Sequence, residues 1–188
     1  IGRRIRYFRK KKAQVWVETV IYTLVMLVLI GTALAFIRPK IQEMQDKAII
    51  EQTLDVFKEI DGRITSAADT ATGNQRTFDL VLKKGNFKID GISDQIFFEM
   101  DESKHVYSEP GQNVEIGNVI ARTEKLGKSS TVTLTLNYSG IYDIKYKTTN
   151  ALKVLEKAST PYKISFVNNG IPSASTDGRK EINFDLVG

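Results

Sequence analysis

The 188 residues carry 27 Lys and Arg against 22 Asp and Glu, a formal charge of +5, with 41% hydrophobic and 26% charged residues, a composition that is ordinary for a globular protein. There is no cysteine and one histidine, His105, so disulfides, thiolate metal sites and cysteine nucleophiles are excluded and imidazole chemistry has a single residue to draw on. The positive excess is local: Arg3, Arg4, Arg6, Arg9, Lys10, Lys11 and Lys12 stand in the first 13 residues without an acid, and setting those seven charges aside turns +5 into −2. A basic leader ahead of an apolar run is a membrane topology signal and argues against a nucleic-acid partner.

After the leader (residues 1–13), the 23 residues from Val15 to Ile37 are almost continuously apolar. As a helix they rise about 34 Å, enough for a hydrocarbon core of about 30 Å. Trp16 and Tyr22 near the basic end, and Arg38 and Lys40 at the other, are placed as interface anchors, and the basic flank sets the N-terminus on the cytoplasmic side. A secretory signal peptide is disfavoured, because its apolar region is about 7–15 residues and ends in small residues, whereas this run ends in Arg38-Pro39-Lys40.

One carboxylate, Glu18, sits inside the apolar run, four residues after Gln14. Basic Arg9-Lys10-Lys11-Lys12-Ala13, then Gln14-Val15-Trp16-Val17-Glu18, then an apolar helix running on into a polar one: this arrangement resembles the class III signal peptide of type IV pilins, in particular of archaeal pilin-like proteins. The resemblance covers about residues 9–60 and is most specific over 9–18, with Ala13 standing where many members have Gly. It implies that a prepilin peptidase cuts between Ala13 and Gln14 and leaves the apolar helix on the mature chain, with Glu18 as its fifth residue. It further implies self-association into a helical surface filament from a precursor in the cell membrane, driven by an assembly ATPase and a platform protein. The chain itself has no nucleotide motif and no cofactor is expected.

Left alone at depth, a charged side chain costs a few kcal/mol on insertion scales. A cut before Gln14 creates an α-amino group that is cationic near neutral pH, about one helical turn from Glu18 or on the neighbouring subunit. A buried pair offsets its desolvation only with good geometry. Glu18 is therefore expected to set the axial register between subunits. The competing reading keeps Glu18 at the membrane surface, snorkelling or paired with Lys11 or Lys12.

Beyond Pro39, expected as a kink, apolar residues at Ile41, Met44, Ala48, Leu54, Phe57, Ile60, Ile64 and Ala67 keep a helical spacing. The spacing predicts one helix from about Gln14 to about Ala68, within a helical segment 14–70, whose outer stripe faces a core. A linker, 71–76, follows. From Thr77 the period becomes two. "TFDLVLKKGNFKID" reads as a hairpin around Lys84-Gly85-Asn86, and "QIFFEM", "HVYSEPG", "VEIGNVIARTEK", "STVTLTLNYSG", "IYDIKYKT", "YKISFVNNG" and "EINFDLVG" read as further strands. "NALKVLEKAS" fits a strand or a short helix equally. The expected class is α+β: a long N-terminal hydrophobic helix followed by a β-sandwich head over 77–188.

No phosphate loop, HExxH helix or G-x-S-x-G turn is present, and neither a catalytic site nor a metal site is expected. Asp101 and Glu102 near His105, and the set Asp90, Asp94 and Asp101, are the nearest approaches to a ligand cluster, without an EF-hand pattern. Tyr107, Tyr138, Tyr142, Tyr146 and Tyr162 read as half-buried sheet packing before they read as an adhesive face. Asn137-Tyr138-Ser139 is the single N-x-S/T sequon, a glycosylation acceptor if Asn137 faces outward. The leading expectation is a pilin-like structural subunit. The rival is a single-pass membrane-anchored protein whose β ectodomain binds a partner or ligand.

Overall fold

The computed structural model describes residues 10–173 and 177–187. The chain divides into two compact units that part between Gln42 and Glu43. One helix, α1 (Lys10–Ala68, 59 residues), contributes to both. Its residues are mostly good helix formers, and the helical run passes Pro39 without a break. The ring removes one backbone bond, that to the Ala35 carbonyl, while the bonds before and after it remain. The helix begins at Lys10 and not at Gln14, so residues 10–13 of the expected leader are helical; the rest of that leader lies outside the described residues.

In the first unit every described side chain from Val15 to Gln42 is exposed. The polar groups within the apolar run are satisfied locally. Thr19, Thr23 and Thr32 donate their hydroxyls to the carbonyls of Val15, Thr19 and Val28 at 2.9, 2.8 and 2.7 Å, the back-bonding that lets a hydroxyl sit in an apolar helix.

The second unit is a sandwich of two sheets. Among the described residues there are ten strands: β1 (Gln75–Leu80), β2 (Asn86–Asp90), β3 (Gln95–Ser103), β4 (Asn113–Ile116), β5 (Val119–Leu126), β6 (Ser129–Asn137), β7 (Tyr142–Tyr146), β8 (Leu152–Leu155), β9 (Tyr162–Gly170) and β10 (Lys180–Leu186). The smaller sheet has the order β1-β9-β10-β7 and the larger β4-β5-β6-β3-β2-β8. All pairings are antiparallel except β7 with β10. Inward residues alternate along β3 (Ile96, Phe98, Met100) and β6 (Val132, Leu134, Leu136), each fully buried, as the period of two requires.

Three expectations are corrected. The hairpin over 77–90 does not form: β1 pairs with β9, with Phe78 opposite Ile164, while β2 pairs with β3 and β8. The chain crosses from one sheet to the other between them, with Leu80 and Leu82 both buried. Gly85 makes the entry into β2 at φ +80°, where an added Cβ would lie 2.6 Å from the Glu99 carbonyl oxygen. "HVYSEPG" is not a strand; a reciprocal pair of bonds holds it instead, Ser108 N to Thr123 Oγ1 at 3.0 Å and Thr123 N to Ser108 Oγ at 2.9 Å. The core stripe of α1 starts later than its apolar spacing indicates. Leu54, Phe57, Ile60, Ile64 and Ala67 are buried as expected, but Ile41, Met44 and Ala48 are exposed. Burial follows Asp46 and Ile50, and Met44 and Ala48 each stand two positions, about 200°, out of phase with them. The ambiguous "NALKVLEKAS" contains strand β8, and β1 starts at Gln75, so the last two residues of the expected linker, 75 and 76, are strand.

Within the second unit, α1 supplies seven buried apolar side chains, Ile50, Leu54, Phe57, Ile60, Ile64, Ala67 and Ala68. The Phe57 ring meets Phe87 of β2 edge-on at 5.7 Å, and Phe166 of β9 lies between Phe78 and Phe184 at 6.3 and 5.4 Å. Both ends of this buried stretch are tied to the rest of the second unit by polar bonds, one end to loops and the other to strands. Asp46, buried, accepts from Lys84 Nζ at 2.6 Å and from the Lys104 amide at 2.8 Å. At the helix end the Ala67 carbonyl accepts from Asn168 Nδ2 at 2.9 Å and the Ala68 carbonyl from Lys180 Nζ at 2.5 Å. The last turn has no basic residue of its own, so strands β9 and β10 supply the donors and the cation that a helix C-terminus calls for.

Phe57→Ala is expected to destabilise the sandwich by about 3–5 kcal/mol through the lost transfer energy and the cavity left behind. Met44→Ala, which removes an exposed side chain, is expected to change stability by less than about 0.5 kcal/mol. Denaturant unfolding of the two variants in detergent checks the contrast.

Candidate functional site

The feature with no use inside the chain is the apolar stretch of α1. From Val15 to Ile37 its large side chains stand exposed, Trp16 by 70% and Phe36 by 75%, on a helix long and apolar enough to cross a membrane. A contiguous apolar surface of that size belongs in lipid or against other protein. With the β-sandwich after it, the chain has the build of a membrane-anchored protein with a β-rich ectodomain. Glu18 is exposed within this stretch, one turn beyond Gln14. Ala13 and Gln14 both lie inside α1, so the expected cleavage bond is helical in this chain; their side chains lie outside those described.

The polar residues singled out in the sequence separate in the fold. Asp90 closes its own turn, accepting from the Ile92 amide at 2.9 Å and the Ser93 hydroxyl at 2.6 Å. Burial pushes its carboxyl up, and the bonds from Ser93 and Ile92 outweigh that and hold it below the usual aspartate range. Asp94, buried, has a left-handed backbone at φ 55°, uncommon for a residue other than glycine. It accepts from the Ile144 amide at 2.9 Å and from Arg179. Asp101 accepts from Thr131 Oγ1 at 2.9 Å, and the His105 ring lies edge-on to Tyr107 at 6.5 Å. These groups are spent on separate partners, and no cluster of three His, Asp or Glu among the described residues is placed to hold a metal.

Of the five tyrosines Tyr138 is buried and the other four half-buried, and the rings of Tyr138 and Tyr142 meet at 5.6 Å. Tyr138 donates to Asp61 Oδ1 at 3.0 Å; burial, and then the carboxylate beside it, hold the phenol far above its ordinary range. Tyr162 donates to the Glu156 carbonyl at 2.9 Å, and Tyr146 lies under Lys153 and Lys147 at 5.8 and 5.9 Å. A groove of about 470 Å³ opens beside Asp61 and Tyr138 and reaches Asn137. Asn137 itself is exposed at the end of β6, on the outward side of the sandwich.

Several residues that organise this surface were not singled out in the sequence. Asp61 takes Asn118 Nδ2 at 2.8 Å as well as Tyr138. Through these two bonds Asp61 joins the helix to two loops. Glu181 accepts from Asn169 Nδ2 at 2.6 Å and pairs with Lys145 at 3.3 Å, next to Asp143 at 3.2 Å. Burial opposes the charge on Lys145, and the two carboxylates outweigh it and raise the amine above the ordinary lysine range. Such partners come from strands distant in sequence, and only their polarity at inward-reading positions could have marked them.

Asp90 carries a pH dependence with a defined sign. Its folded-state pKa is lowered, so its contribution to stability is present above the unfolded value of about 3.9 and is lost as pH falls through the folded value. Asp90→Asn is therefore expected to melt below the parent at pH 7, with the gap closing as pH falls below the unfolded value of about 3.9 and through the lower folded one. Thermal melts of both proteins from pH 7 to pH 2 check this.

No protein-family model matches the chain, and no curated protein or solved structure matches it.

Proposed function

We propose that this chain is the structural subunit of an extracellular type IV pilus-like filament. It enters the membrane as a precursor, is cut between Ala13 and Gln14, and assembles through the apolar part of α1. The observation that carries the reading is an apolar run, Val15 to Ile37, exposed on every face that holds a single carboxylate, Glu18, one turn from the expected new amine. Helices in lipid gain little from the hydrophobic effect on associating, so packing and a charge pair are what select one arrangement. A Glu18 paired with an α-amino group lowers the cost of its burial, and a subunit out of register leaves the carboxylate uncompensated among apolar side chains. The β-sandwich would form the outer surface, and the chain's lack of a nucleotide motif leaves extraction from the membrane to a separate ATPase.

One observation favours the second reading, a single-pass membrane-anchored protein whose β ectodomain binds a partner. The Ala13–Gln14 bond lies inside α1, and a helical bond must open before a peptidase can cut it. On that reading the leader stays attached and Glu18 is held at the membrane surface.

Shearing the cell surface separates the two. A filament subunit appears in the sheared fraction as fibres under electron microscopy, whereas an anchored ectodomain stays with the membranes. Glu18→Ala is expected to reduce fibres in the sheared fraction at least tenfold while the amount of protein in the membrane is unchanged. Fibres at the parental level in this variant would remove Glu18 from the mechanism.

A further inference from the structure

The sequon Asn137-Tyr138-Ser139 has no part in the assembly proposed above, and its surroundings give it another use. Asn137 closes β6 between Leu136 (0% exposed) and Tyr138 (4%), and it alone of the three turns outward. Its Oδ1 accepts from the Ser139 amide at 3.0 Å, closing a local turn. No described residue accepts from its Nδ2. The connection beyond is fixed rather than loose, since the Ile141 and Tyr142 amides both donate to the Tyr138 carbonyl, at 2.8 and 3.0 Å. The nucleophilic nitrogen is thus presented outward from a rigid position.

Two grooves meet at this residue. The groove of about 470 Å³ is lined by Glu115, Asn118, Ile141 and Tyr142 on the side toward α1. A second, of about 240 Å³, runs over the outer face of the larger sheet past Gln95, Arg122, Thr133 and Thr135. The first offers a carboxylate and an amide beside an aromatic ring and an isoleucine that is 58% exposed; the second offers hydroxyl, amide and guanidinium groups. A saccharide needs this combination, hydrogen-bonding groups for its hydroxyls and an apolar surface for its C–H face.

We propose that Asn137 is an N-glycan acceptor and that its saccharide lies along the two grooves that meet there. In the step, Asn137 Nδ2 bonds to the anomeric carbon of a lipid-phosphate-linked saccharide and the anomeric carbon–oxygen bond to phosphate breaks. The lipid phosphate leaves, and one Nδ2 proton is lost to a base of the transferase. Nothing is oxidised or reduced. Once attached, the saccharide covers Ile141 and the exposed edge of Tyr142, removing an apolar patch from the head's surface. The inference rests on the outward placement of the head and not on filament assembly.

Mass spectrometry of the protein recovered from its native cell surface tests it, with fragmentation that retains labile sugars. The peptide containing Asn137 is expected to be heavier by whole saccharide units sited on that residue. Ser139→Ala keeps the amide that bonds Asn137 Oδ1, so it leaves the turn intact, yet it should abolish the added mass, while Ser139→Thr should keep it. An unmodified Asn137, or added mass that survives Ser139→Ala, overturns the acceptor assignment. Hydroxyl-radical footprinting then compares parent with Ser139→Ala: labelling of Ile141 and Tyr142 should rise several-fold in the variant, and equal labelling overturns the seating in the grooves. Fibres built from unmodified chains would defeat this inference alone; a modified chain that never leaves the membrane would defeat the filament reading alone.

Discussion

The fold depends on the burial of one face of α1 between Asp46 and Ala68. Seven apolar side chains of that stretch enter the sandwich core, and each of the large ones contributes on the order of 1.5–3 kcal/mol on removal from water. Apolar burial alone would let the helix slide or turn, since it has no direction. The polar ties prevent this. Asp46 is bonded at one end to Lys84 and Lys104, and the last carbonyls at the other end are bonded to Asn168 and Lys180. Lys84 and Lys104 stand in the loops before β2 and after β3, and Asn168 and Lys180 on β9 and β10 of the smaller sheet, so the helix end is capped only when β9 and β10 are in place.

The same helix carries a second apolar surface with a different fate. From Val15 to Ile37 it is apolar on nearly every side and exposed, which suits lipid or other helices; after Asp46 it is apolar on one side only, which suits a water-soluble domain. Polar groups in the first stretch are few and locally satisfied, through threonines bonded to their own turn. Glu18 is the exception in kind, being a carboxylate where every other polar side chain of the run is a hydroxyl.

Much of this was legible in the sequence for definite reasons. Continuous apolarity marks a membrane-length helix whatever its context, and strict alternation in "QIFFEM" and "STVTLTL" marks strands with one buried face. What failed was long-range. The Lys84-Gly85-Asn86 turn signal was read locally as a hairpin, but β1's partner is β9, more than eighty residues away. "HVYSEPG" alternates like a strand, yet two hydroxyl–amide bonds to Thr123 replace a ladder there. On α1 the start of the buried face was misjudged because Asp46, a polar residue, occupies its first inward position. The sequence left open which way Asn137 faces, and the structure turns it outward at the end of β6; the larger groove beside it depends on Asp61, Asn118 and Tyr138 coming together from distant parts of the chain.

The most direct measurement is the mass of N-terminal peptides from the protein collected at the cell surface. The account predicts a peptide that begins at Gln14 with a free α-amino group, and no peptide that crosses from Ala13 to Gln14; a cyclised Gln14, which carries no cation, would contradict the pairing with Glu18. Surface protein in which that bond is intact would contradict it, because Glu18 would then face no new amine and the chain would stand as an anchored ectodomain.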